Sequence, residues 1–146
     1  MKPRNLTFLA AGLALAIPAM ASADTFPEHF LSNYDFDKDG FISLDELKKK
    51  RNGGFKKFDA NGNGMLEPEE YGALKAHQAT QEAIHRGKGM SDAPRKVHDA
   101  VSIFVMDTDR DGLTTNEEFI AASVAWFNSV DADGDGKLSA DELGAL

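Results

Sequence analysis

The residues able to do chemistry fall into four stretches of twelve, each with oxygen donors at fixed intervals. In the first, Asp35, Asp37 and Asp39 hold positions 1, 3 and 5, Gly40 holds position 6 and Glu46 position 12. Asp59, Asn61, Asn63, Gly64 and Glu70 repeat that order. So do Asp107, Asp109, Asp111, Gly112 and Glu118, and again Asp131, Asp133, Asp135, Gly136 and Glu142. A hard divalent cation of calcium's size takes six to eight oxygens at roughly 2.3–2.6 Å. A tightly curled chain aims alternate side chains at one point, and glycine at position 6 permits the sharp bend. In such a loop the peptide carbonyls of Phe41, Met65, Leu113 and Lys137 at position 7 face the ion. At position 9, Ser43, Thr115 and Ser139 can hold a water, whereas the second loop has Glu67. The glutamate at position 12 closes the shell with both oxygens. The pattern predicts up to four Ca2+ ions.

Positions 1, 3, 5, 9 and 12 carry 15 carboxylates over the four loops. Four calcium ions offset eight of those charges, so the apo chain is expected to loosen by self-repulsion and tighten on metal. Asn61 and Asn63 remove two charges from the second loop and Glu67 restores one, which predicts the weaker site of its pair.

Other chemistry is not visible. His29, His77, His85 and His98 are spread along the chain and are read as forming no His-x-x-x-His or Glu-x-x-His cluster. His77 and His85, eight apart on one helix, are taken as solvated helix histidines. There is no Cys, no Gly-x-Ser-x-Gly and no phosphate loop, so the chain reads as a binding protein and not an enzyme.

The loops need helices to hold them. Phe26, Phe30, Leu31 and Tyr34 recur at helical spacing before the first loop, with Pro27 suited to a first turn. Ser43 and Glu46 predict a capping box that starts the next helix. Asn52-Gly53-Gly54 is a stop signal inside the 12 residues from Leu47 to Phe58. Pro68 opens a longer helix to about Arg86, with a thin apolar face of Tyr71, Leu74 and Ile84. Gly87-Lys88-Gly89 ends it, Ser91 to Pro94 opens another, and Val97, Val101, Phe104 and Val105 form a stripe entering the third loop. Phe119 to Val130 predicts a continuous, better-buried helix, and only a stub remains after Glu142.

The first 23 residues read as a secretory signal peptide: Lys2 and Arg4, an apolar run from Leu6 to Met20, and Ala21-Ser22-Ala23 for cleavage after Ala23. That run is shorter than the roughly 20 residues that span a bilayer. Cleavage predicts a periplasmic or secreted protein with no membrane anchor. The remaining chain has 24 acidic against 14 basic side chains, a net charge of −10, which disfavours nucleic acid and anionic membranes as partners.

The four loops resemble EF-hands, and the chain is similar to small secreted four-loop calcium-binding proteins of bacteria. The resemblance implies an all-α fold of two EF-hand pairs with short antiparallel contacts between paired loops. It places an N-terminal pair in residues 24–86, a linker at 87–93 and a C-terminal pair in 94–146. The implied contact is at loop position 8, where Ile42 and Leu66 fit the first pair and Leu138 the second, while Thr114 departs from the aliphatic residue. Loop starts 24 residues apart are closer than in calmodulin and similar to lanmodulin, a periplasmic lanthanide-binding protein. Lanmodulin loops have Pro at position 2; here Phe36, Ala60, Thr108 and Ala132 stand there. The expected function is calcium binding, as an exported buffer or a calcium-dependent interaction module for an unidentified protein partner. Lanthanide capture and a structural role in an extracellular assembly are the alternatives.

Overall fold

The computed structural model describes residues 25–87, 93–100 and 102–146. The signal segment 1–23 and residues 88–92 of the expected linker lie outside them. Among the described residues no helix is long and apolar enough to cross a membrane.

Helix α1 (Phe26–Tyr34) starts at Thr25, whose hydroxyl accepts the Glu28 N–H while the Glu28 side chain takes the Thr25 N–H. The predicted capping box of Ser43 and Glu46 starts α2 (Leu44–Phe58), and Thr115 with Glu118 does the same for α6 (Asn116–Val130). Between these run α3 (Pro68–Gly87), α4 (Ala93–Ala100) and α5 (Ile103–Met106), and α7 (Ala140–Gly144) is the expected stub. The strands are two residues each: β1 (Ile42–Ser43), β2 (Met65–Leu66), β3 (Thr114–Thr115) and β4 (Lys137–Leu138). The all-α architecture with short antiparallel contacts is as the sequence predicts.

The partners in those contacts differ from the expectation. Ile42 stands opposite Leu138, joining the first loop to the fourth, and Leu66 stands opposite Thr114, joining the second to the third. The cause is α2. Gly53 and Gly54 do not stop it: neither takes a positive φ, and the helix runs through both. Each interior glycine costs about 0.5–1 kcal/mol relative to alanine, but buried Leu47 and Phe55 and the capped start outweigh that. A continuous helix of 15 residues is about 22 Å long and holds loops 1 and 2 at opposite ends. Helix α6, also 15 residues, separates loops 3 and 4 in the same way. With α2 and α6 packed antiparallel, loop 1 meets loop 4 and loop 2 meets loop 3.

One apolar cluster lies under each loop pair. Phe26, Phe30, Ile42, Trp126, Phe127 and Leu138 belong to the cluster under loops 1 and 4, and Trp126 packs on Phe30 with ring centroids 5.6 Å apart. Phe55, Leu66, Tyr71, Met106 and Phe119 belong to the cluster under loops 2 and 3. Helix α6 contributes to both and buries six residues, against two in α2. Two predicted faces need correction. On α3, Ile84 is exposed and His85 is buried, because the inward row is Tyr71, Leu74, Gln78, Gln81 and His85 at spacings of three and four. The stripe entering loop 3 is not one helix: α4 ends at Ala100 and α5 begins at Ile103, which leaves Val97 buried, Val105 exposed and Met106 in the core.

Candidate metal centre

Each loop is curled by hydrogen bonds from its own backbone to its ligand carboxylates. The position 1 aspartate accepts the position 6 N–H throughout: Gly40 to Asp35 at 3.0 Å, Gly64 to Asp59 at 2.9 Å, Gly112 to Asp107 at 3.1 Å and Gly136 to Asp131 at 3.0 Å. These glycines have φ between 81° and 89°, a region that a Cβ disfavours. Position 4 is left-handed too. Loops 2 and 4 meet that demand with Gly62 and Gly134, whereas Lys38 (φ 62°) and Arg110 (φ 63°) adopt it as non-glycines. The sequence reading missed this position.

The position 12 glutamate is a staple. Its Oε1 accepts the position 2 N–H, at 2.7 Å for Phe36 to Glu46, 2.8 Å for Ala60 to Glu70, 2.9 Å for Thr108 to Glu118 and 2.8 Å for Ala132 to Glu142. Its Oε2 accepts the position 9 N–H, as from Ser43 to Glu46 at 2.9 Å. The last ligand is thus also the third residue of the exiting helix, so loop closure and helix capping share one side chain. These bonds favour the charged form. The N–H of Thr115 and then that of Thr108 hold the Glu118 carboxyl at about 2, and bonds from Ser139 lower Glu142.

Three loops gather carboxylates. Asp35, Asp37 and Asp39, then Asp107, Asp109 and Glu118, then Asp131, Asp133 and Glu142 each bring one oxygen apiece within 4.8 Å of one another. Such all-oxygen sets, without imidazole or thiolate, fit a hard cation. Glu46, Asp111 and Asp135 stand in their loops outside those groups; Asp111 accepts the Leu113 N–H and Asp135 the Lys137 N–H, both at 2.8 Å. In the second loop Asp59 and Glu70 are flanked by Asn61 and Asn63, whose side-chain amides donate to Glu67 at 3.3 and 3.1 Å. Of the position 7 residues, Met65 and Lys137 lie in β2 and β4, and Phe41 and Leu113 immediately precede β1 and β3.

Pairing of loops 1 and 4 adds a contact that the sequence did not reveal. The Lys137 ammonium donates to Asp39 Oδ2 at 2.7 Å and lies 5.2 Å from the Phe41 ring centroid. The histidines also need correction. All four line one cavity, with His29 Nε2 and His85 Nε2 3.1 Å apart and His98 Nδ1 2.8 Å from Glu82. Glu82 and His85 do stand in Glu-x-x-His spacing on α3. That spacing was the signal available in the sequence.

The family profile described as EF hand matches residues 28–49, 54–75 and 124–146, which contain loops 1, 2 and 4. Loop 3 lies outside the matched segments yet carries a carboxylate group. The chain is 35% identical over 105 residues to the probable calcium-binding protein CML16 of Oryza sativa subsp. japonica. The likeness covers 63% of this chain and 54% of that protein, so the chain spans about half the length of the relative it matches. Three matched motifs and three gathered carboxylate sets together support calcium binding through EF-hands in this chain.

Proposed function

We propose that the protein is an exported calcium-binding protein that fills four EF-hand loops, acting as a buffer or as a calcium-dependent interaction module. The observation that carries this reading is the convergence of three aspartate and glutamate oxygens within 4.8 Å in each of three loops. In the first, third and fourth loops those aspartates and the position 12 glutamate would hold the ion. The second loop would hold a fourth ion through Asp59, Asn61, Asn63 and Glu70. Export rests on the amino-terminal signal pattern and a binding role on the absence of catalytic motifs in the sequence.

Trp126 tests the reading, because it is buried in the cluster beneath loops 1 and 4, five residues before Asp131. The apo protein is titrated with calcium and, separately, with lanthanum, following Trp126 emission and binding of an apolar dye. A micromolar calcium transition supports the proposal, with dye uptake indicating an interaction module and its absence a buffer. Ordering by nanomolar lanthanum with none by calcium below millimolar would replace calcium with a lanthanide. Export is tested by expressing the full chain in a bacterium and sequencing the amino terminus of the exported form, expected at Asp24.

A further inference from the structure

The middle of α2, away from the loops, borders a cavity of about 500 Å³. Its walls carry Lys50, Arg51 and Lys57 from α2, His77 from α3 and His98 from α4. Among the described residues no Asp or Glu lines it, although Glu82 stands 2.8 Å from His98 at its edge. A second cavity of about 280 Å³ shares Lys50, Arg51, His77 and His98 with the first. Three standing cations, Lys50, Arg51 and Lys57, gathered on one stretch of α2 in an acidic protein create a local positive potential that attracts an anion. They also disfavour a metal ion between His29 and His85 at the edge of the same space.

Arg51 makes the expectation specific. Its guanidinium lies over the Tyr34 ring, 5.9 Å from the centroid, and among the described residues its Nε and Nη2 are buried without an acceptor. Those two nitrogens form one edge of the planar fork, the edge that grips an oxyanion through two parallel bonds. A buried charged donor without an acceptor is costly, so an acceptor entering the cavity gains the full value of the bond. His77 reflects the same surroundings: burial lowers its affinity for a proton, and nearby Lys57 and His98 lower it further.

The remaining lining combines Gly53, Gly54, Phe58, Leu74 and Phe119 with Tyr34 and the amides of Gln78 and Gln81. A Cβ placed on Gly53 or Gly54 meets nothing within 4 Å, so α2 leaves room for the body of a ligand there. Phe58, Phe119 and Leu74 complete that side. We propose that this cavity binds a small organic carboxylate, its oxyanion held by the Arg51 fork and its apolar body beside Gly53 and Gly54.

The test is calorimetric titration of the calcium-loaded full chain with benzoate, with neutral benzyl alcohol and with sulfate. Benzoate is expected to bind, more tightly than either of the others. Arg51→Gln is expected to weaken benzoate on the order of tenfold or more, and Gly54→Leu to block it by filling the space. Circular dichroism and an unchanged calcium titration show that each variant is folded, and keep this result separate from that of calcium binding. Benzoate binding that Arg51→Gln leaves intact overturns the proposal, as does no binding at millimolar benzoate. Equal binding of benzyl alcohol overturns the role of the charge, and equal binding of sulfate overturns the role of the apolar wall.

Discussion

Lys137 of the fourth loop donates a 2.7 Å hydrogen bond to Asp39 Oδ2, a ligand-position carboxylate of the first loop. The ammonium competes for an oxygen that a bound cation would use. It also lowers the proton affinity of Asp39, first through this bond and then with help from the Phe41 N–H. Both partners are exposed, so the interaction is a surface pair weakened by solvent and by salt. Lys137→Met is therefore expected to raise calcium affinity at the first loop about two- to fivefold in low salt, and less in 0.5 M potassium chloride. Calcium titration of the variant at both salt levels checks this; weaker binding would show that Lys137 organises the loop instead.

Thr114 carries the second prediction. It is fully buried opposite Leu66, and among the described residues its hydroxyl has no hydrogen-bond partner. A buried unsatisfied hydroxyl costs about 1–3 kcal/mol. Thr114→Val keeps the shape, removes the penalty and should stabilise the contact between loops 2 and 3 by about 1 kcal/mol. Urea unfolding of the calcium-free chain measures the gain.

The continuity of α2 is testable at Gly53. Its backbone is not left-handed, and an added Cβ meets nothing within 4 Å. Gly53→Ala should stabilise the protein by about 0.5–1 kcal/mol. Were the chain broken by a left-handed glycine at that point, the same change would destabilise it, and thermal unfolding separates the two.

Loop 2 should be the weaker site of its pair, which the fold makes loop 3 and not loop 1. Asn61 and Asn63 leave it without the gathered carboxylates of the other loops, and their amides engage Glu67. Glu70→Gln is expected to reduce total calcium binding less than Glu118→Gln or Glu46→Gln. Flow dialysis of the three variants gives the ranking, and a larger loss from Glu70→Gln would reverse it.

Acidification should melt the apo protein through its caps. The Glu118 carboxyl, held at about 2 by N–H groups of Thr115 and Thr108, is lowered from an ordinary 4.5. A group with a lowered folded-state value stabilises the fold fully above its unfolded value, and that contribution is lost as pH falls through the folded one. Helicity of the apo chain should decline between about pH 4.5 and 2, and Glu118→Gln should flatten that decline. Far-ultraviolet circular dichroism across the range provides the measurement.

What the sequence determined by itself is local. Ligand positions, the bends at Gly40, Gly64, Gly112 and Gly136, and the caps Ser43–Glu46 and Thr115–Glu118 arise within twelve consecutive residues, so spacing alone reveals them. Loop partners were decided elsewhere. Ile42 pairs with Leu138 and Leu66 with Thr114 because α2 and α6 are stiff and pack antiparallel, a relationship between segments far apart in the chain. The glycine pair that reads as a stop is overridden because Leu47 and Phe55 bury on one helical face. The Lys137–Asp39 bond, the gathering of four histidines and the positive cavity around Arg51 belong to the same category. Apart from the Glu82–His85 spacing on α3, each joins residues from separate segments, and only the packing of helices brings them together.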